Sequence, residues 1–189
     1  MGIEVFLAHE DIRPSRRWQD EIIDSLKKCQ IFMPLLTKHF TQSEWADQES
    51  GMAIAYSKII IPLSVNMDIH GFLGRYQALK LKVRALDESC KKILLVLNEN
   101  EKLKENLQNG FILTFVRSSS FFEANDKSEL IESLGPYNSN QLNEIIQGCV
   151  NNSQIYEAFT ARKKVRAFFK KNHKFVKRSL RKDFEKMFS

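Results

Sequence analysis

Apolar and polar positions alternate along this chain with two different periods. Residues Ile3-Glu4-Val5-Phe6-Leu7-Ala8 are short, β-branched and aromatic, the pattern of a strand. His9 to Ser15 is polar, contains Pro14 and reads as a loop. Ser15 can cap the helix after it, and Trp18, Ile22, Leu26 and Cys29 recur at helical spacing as its buried stripe. Gln30 to Leu36 predicts a second strand, with Pro34 marking a strand end or a bulge. Thr37 to Ser43 reads as a loop. A helix follows to about Ser57, capped either by Thr41, in a capping box with Glu44, or by Ser43. Lys58 to Val65 is a continuous apolar run, as expected of a strand covered on both faces. Strand, helix, strand, helix, strand predicts a parallel α/β sheet.

Beyond that run the strand signal fades. Asn66 to Lys80 reads as a loop with Gly71 and Gly74. Leu94, Leu97, Leu103 and Leu107 predict a helix over Leu86 to Asn109, and Phe111 to Val116 fits strand or helix. Ser128 to Leu134, Gln141 to Val150 and Ile155 to Asn172 predict further helices, with a break at Gly135-Pro136. Val165, Phe168, Phe169, Val176, Leu180, Phe184 and Phe188 form an apolar stripe against a basic face. The expected organisation is an α/β domain over 1–85 and a helical region over 86–189.

One position breaks the pattern. Residues i and i+4 share a helix face, so Trp45 and Glu49 are neighbours, and Met52 and Tyr56 continue their stripe. A carboxylate on an apolar stripe costs free energy unless it is partnered. A ligand is one candidate partner, and a nearby Lys or Arg is the other. Trp45 is either core or an apolar wall for a ligand.

Charge changes the picture in one place. The net charge is +6, but residues 161–189 hold 12 Lys/Arg and 2 Asp/Glu, or +10, which leaves −4 for the rest. That tail is a solvated helix face, or it meets an acidic surface, nucleic acid or lipid head groups. Cys29, Cys90 and Cys149 are far apart and fit reduced thiols in a cytosolic protein. His9, His39, His70 and His173 show no ligand spacing, so no metal is expected. No apolar run approaches membrane-spanning length and no signal peptide is visible.

The ordered set Cys29-Gln30-Ile31-Phe32-Met33-Pro34-Leu35-Leu36, Phe40, Ser43, Trp45, Glu49, Ala53 and Ile60-Ile61-Pro62-Leu63 resembles the Toll/interleukin-1 receptor (TIR) domain in its bacterial form. Gly2 to Leu7, then Asp11 to Ser15 and Trp18, resemble the second TIR strand and its BB loop. The resemblance covers roughly residues 2–80 and implies a flavodoxin-like fold. In many bacterial and plant members it also implies cleavage of NAD⁺ at the nicotinamide–ribose bond, with NAD⁺ as substrate and no cofactor.

Glu49 stands where the family has its catalytic glutamate. Loss of nicotinamide leaves an oxocarbenium-like ribose that a fixed carboxylate stabilises. Water then gives ADP-ribose, and internal attack gives a cyclic ADP-ribose isomer. The resemblance extends the substrate-binding set to Trp45, Ser43, Phe6, Ala8, Asp11 and Arg13. Asp11 and Arg13 read equally as loop charges. Ala8 stands where many members have Asp, and Ser15 where many have a BB-loop Gly.

The same mapping makes Val5-Phe6-Leu7 the second strand, so the family's first strand and helix are expected to be absent. A rival mapping takes these residues as the first strand. It leaves Phe6 only 43 residues before Glu49, too few for the strand and helix between. In a sheet of order 2-1-3-4-5 the first strand is central. Its place is filled by closing up, by another chain or a swapped segment, or by sequence upstream.

Ser120-Phe121-Phe122-Glu123-Ala124-Asn125, Gln141-Leu142 and Asn152-Ser153-Gln154-Ile155 with Ala161 resemble a region downstream of some bacterial TIR domains, implying oligomerisation or partner sensing. The resulting expectation is an NAD⁺-consuming enzyme of bacterial anti-phage signalling. It would form a homo-oligomer and address an effector through a nucleotide product, with no membrane span and no nucleic acid. The alternative is a non-catalytic TIR interaction module. A response-regulator domain is disfavoured, because no strand ends in a phospho-acceptor Asp.

Overall fold

In the computed structural model the described residues are 3–7, 17–69 and 71–188. They divide into two compact units, Glu4–Ile93 and a second unit holding Leu94–Ser189.

The first unit is a small parallel α/β structure. Helix α1 (Trp18–Lys28) buries Ile22 and Leu26. Strands β1 (Ile31–Phe32) and β2 (Leu35–Leu36) lead to a short α2 (Lys38–Thr41) and then α3 (Glu44–Ala55). Strands β3 (Ile59–Ile60) and β4 (Leu63–Ser64), a 3₁₀ turn Gly71–Arg75 and β5 (Leu79–Lys80) complete it. β1 pairs with β3, β2 with β4 and β4 with β5, all parallel.

The two expected long strands each appear as two short ones. The cause is proline. The register places Pro34 opposite Pro62, and a proline has no N–H for the ladder. The ladder in the other direction is unbroken. Ile59, Ile61, Leu63 and Val65 donate to the carbonyls of Gln30, Phe32, Pro34 and Leu36 at 2.9–3.1 Å. Beneath the sheet Ile22, Leu26, Leu36, Ala53, Ile60 and Leu73 form a buried cluster, with Trp45 and Met52 packed against it.

Several expectations for this unit are corrected. Residues 3–7 are irregular and exposed, not a strand. A strand needs a ladder partner, and no described strand lies beside them. α1 starts at Trp18 with Arg17 at N-cap, while Ser15 and the rest of the expected loop lie outside the described residues. Trp18, expected in the core stripe, is 47% exposed. The Thr37–Ser43 loop contains α2, because the Thr37 hydroxyl accepts from the Phe40 N–H at 3.3 Å and caps a helical turn. Of the two caps expected for α3, Ser43 stands at the N-cap, its hydroxyl accepting from the Ala46 N–H at 3.3 Å. The Asn66–Lys80 loop ends in β5; the N–H groups of Leu79 and of Leu81, just past the strand, donate to the Pro62 and Ser64 carbonyls. A two-residue strand is too short to leave a periodic signal.

The second unit is helical: the end of α4 (Leu86–Glu99), α5 (Glu101–Val116), α6 (Phe121–Ser128), α7 (Ser139–Asn151), α8 (Ser153–Tyr156), α9 (Phe159–Asn172) and α10 (Arg178–Phe188). Phe111, Ile112, Phe115, Ile145, Ile146 and Val165 are fully buried. Every residue of the expected tail stripe, Val165 through Phe188, is buried, and Phe169, Phe184 and Phe188 stack in series at 4.1 Å. α5 and α7 pack so closely that a Cβ on Gly148 would overlap the Val116 side chain.

Here the corrections are helix breaks. The expected Leu86–Asn109 helix divides at Asn100, whose side chain accepts from the Lys102 N–H at 3.1 Å and starts a new helix. Phe111 to Val116 is helix. The helix expected over Ser128–Leu134 lies earlier, at α6, because Ser120 caps it. Ile131 and Leu134 then reach the core from turns with the i+3 spacing that resembles a helix. The Ile155–Asn172 helix is two, α8 and α9. Ala158 at the α9 N-cap offers no side-chain oxygen, and Asn125 of α6 accepts from the Ala161 N–H at 2.8 Å instead.

Candidate functional site

Helix α3 positions the singled-out pair. Its first turn carries Glu44 and Asp47, charges that favour a helix N-terminus. Its buried face is Ala46, Ser50 and Ala53, small residues on a helix that packs against α1, α2 and the 3₁₀ turn. The Ser50 hydroxyl donates to the Ala46 carbonyl at 2.8 Å, so it is satisfied within the helix. Trp45, Glu49 and Met52 flank this face and are half-buried. Tyr56, expected on the same stripe, is the C-cap and is exposed, because the helix ends there.

Two features of Trp45 bear on chemistry. Its ring meets Trp18 of α1 edge-on, with centroids 4.6 Å apart and planes at 61°. Its indole Nε1 is buried and, among the described residues, has no hydrogen-bond partner. A buried donor without an acceptor costs about 1–3 kcal/mol, so the group is poised to gain from one. Glu49 lies one turn further along α3. Trp18 belongs to the α1 stripe and to the set that resembles the BB-loop region; its contact with Trp45 joins two helices and leaves no sequence signal of its own.

The other expected residues are dispersed. Ser43 is the N-cap of α3. Phe6 lies in the irregular segment 3–7 and is 38% exposed. Ala8, Asp11 and Arg13 lie outside the described residues. Among the described residues no group of three His, Cys, Asp or Glu is arranged to hold a metal, and no helix is long and apolar enough to cross a membrane. The cysteines are free thiols, Cys90 exposed and Cys149 buried, and burial pushes the Cys149 thiol well above its ordinary range.

The downstream stretches singled out in the sequence have structural work. Asn125 caps α9 from outside. Asn152 donates to the Val116 and Ser118 carbonyls, both at 3.0 Å, and caps α8. Gln141 closes a capping box with Asn138 and donates to Asn109 at 2.8 Å.

A family model for the TIR domain matches residues 1–95, half of the chain, and the chain belongs to the TIR domain family. Its α/β unit is a flavodoxin-like TIR fold, followed by a helical region. No curated protein and no solved structure matches the chain.

Proposed function

We propose that this chain is a TIR-domain NAD⁺ nucleosidase that cleaves the nicotinamide–ribose bond, with Glu49 as its catalytic carboxylate. What carries the reading is the half-buried Glu49 one helical turn from Trp45, whose buried indole N–H has no acceptor among the described residues. As nicotinamide leaves, positive charge develops on the ribose. A carboxylate in a partly desolvated site interacts with that charge more strongly than one in water. The Trp45 ring supplies an apolar wall, and its N–H gains an acceptor from the nucleotide. The oxocarbenium-like sugar takes water to give ADP-ribose, or an internal nucleophile to give a cyclic isomer. In bacterial anti-phage signalling either outcome depletes NAD⁺, and the cyclic one also supplies a message for an effector.

The test is NAD⁺ consumption at high protein concentration, since sites shared between subunits empty on dilution. Glu49→Ala is expected to lower the rate about 100-fold or more with an unchanged circular dichroism spectrum. Equal inertness of wild type and variant overturns the reading.

A second reading, a non-catalytic interaction module, draws on the segment 3–7. Val5 is 59% exposed there, and Ile3, Phe6 and Leu7 are exposed beside it. An apolar run of this kind suits a protein contact. On this reading Glu49→Ala is silent and Val5→Asp abolishes self-association.

A further inference from the structure

The turn between α9 and α10 combines an exposed aromatic ring with a cluster of cations that fold stability does not call for. Phe175, in the 3₁₀ turn His173–Phe175, is 56% exposed, while the next residue, Val176, is 2% exposed. The turn is braced. Arg181 donates from Nε to the Val176 carbonyl at 2.7 Å and from a terminal nitrogen to the Lys174 carbonyl at 3.0 Å. The Lys177 N–H donates to the Asn143 side chain at 2.8 Å. Phe175 is therefore held outward by a fixed backbone.

Lys174, Lys177, Arg178 and Lys182 surround that ring in sequence. The Lys174 ammonium lies 5.9 Å from the Phe175 ring centre. Arg178 and Lys182 are each two residues from the buried Leu180, hence on the opposite side of α10. Two lysines of α9 are used within the fold: Lys164 pairs with Glu129 and Lys171 with Glu132. Among the described residues Lys174, Lys177, Arg178 and Lys182 have no ion pair. They do not help the helix either. The first turn of α10 has no acidic residue, and cations there oppose the macrodipole.

We propose that this turn, with Arg178 and Lys182 at the start of α10, docks on an anionic phospholipid surface, with Phe175 entering the headgroup layer. Charge complementarity selects an anionic partner. The shape selects among anionic partners. Single-stranded nucleic acid is held by successive rings along a groove, and duplex reading needs an element that enters a groove. Here one exposed ring stands in the turn, with no second ring among the described residues beside it to form a stacking series. A plane of headgroups accepts dispersed cations in any register, at a strength of about 1 kcal/mol per Lys or Arg. A single apolar ring adds contact at the interface. The apolar face of α10 itself is occupied by the core, so the contact is peripheral and salt-sensitive.

The full chain is floated with vesicles of phosphatidylcholine alone and of phosphatidylcholine mixed with phosphatidylserine. Binding is expected only with phosphatidylserine and is expected to fall as salt rises. Each of Lys177→Ala, Arg178→Ala and Lys182→Ala lowers the partition coefficient about fivefold. Phe175→Ala weakens binding severalfold with an unchanged circular dichroism spectrum, because its side chain is outside the core. Equal binding to both vesicle types overturns the proposal, as does no binding to either, or four single variants that bind like wild type. A single-stranded oligonucleotide that displaces the vesicles and depends on Phe175 also overturns it and makes the face a nucleic-acid site.

Discussion

The indole N–H of Trp45 is a test of what this residue is for. If Trp45 served packing alone, a buried donor with no acceptor would be a defect that phenylalanine repairs. Trp45→Phe keeps a ring against Trp18 and removes the orphan donor. Thermal unfolding is then expected to be unchanged or up to about 1 kcal/mol more favourable to the fold. If the N–H meets the nucleotide, the same variant raises KM for NAD⁺ while kcat moves little, because the lost bond is made before and during reaction alike. A fall in stability together with an unchanged KM would return Trp45 to plain core. At this scale the pairing of Trp45 with Glu49 was legible, since helical spacing alone puts them on one face. The orphan donor was not. Which way an indole points depends on Trp18, and that contact is tertiary.

The clearest electrostatic device at the scale of elements is the start of α6. Glu123 accepts from both the backbone N–H and the hydroxyl of Ser119, at 2.7 and 2.9 Å, and pairs with Lys127 one turn on. The Lys127 hydrogen bond first, and then those from Ser119, hold the Glu123 carboxyl down at about 2, from an ordinary value of 4.5. A carboxyl depressed in the folded state contributes stability that is fully present above its unfolded value and disappears as pH falls through its folded one. The contribution of Glu123 is therefore complete above about 4.5 and lost between 4.5 and about 2. Urea unfolding of wild type and Glu123→Gln across that window should converge as pH falls, with wild type the more stable only at the upper end. Parallel curves would mean that the pair is idle. The Ser120 cap was readable in principle, as a serine three residues before a glutamate. Ile131 and Leu134 compete with that signal, because their spacing mimics a helix period further on. Asn100 and Asn125 show the same limit: whether a polar side chain caps its own helix or another is decided by the chain path.

At the scale of the whole molecule the two units differ in how they are held. Of the largest wholly buried side chains among the described residues, Phe111, Ile112, Phe115, Ile131, Leu134, Ile145, Ile146 and others lie in the helical unit and only Pro62 lies in the α/β unit. Its ladder is interrupted by Pro34 and Pro62 and carried by strands of two residues. The alternation of strand and helix made this fold class legible, while the interrupted sheet was foreshadowed only by Pro34. Burial of apolar area is the main stabilising term, so the α/β unit should open first. Amide hydrogen exchange is expected to be faster in α1 and α3 than in α5, α7 and α9. The proposed NAD⁺ site lies on α3, inside the weaker unit. A ligand that binds only the folded state adds about 2.7 kcal/mol at a hundredfold excess over Kd. Addition of NAD⁺ to Glu49→Gln, which retains the shape but turns over slowly, should therefore slow exchange in α3 and leave α5 and α7 unchanged. Protection that appears in α5 and α7 instead would move the nucleotide to the helical unit. No protection in either unit would remove NAD⁺ as its ligand, since a site on the less stable unit cannot fill without stabilising it.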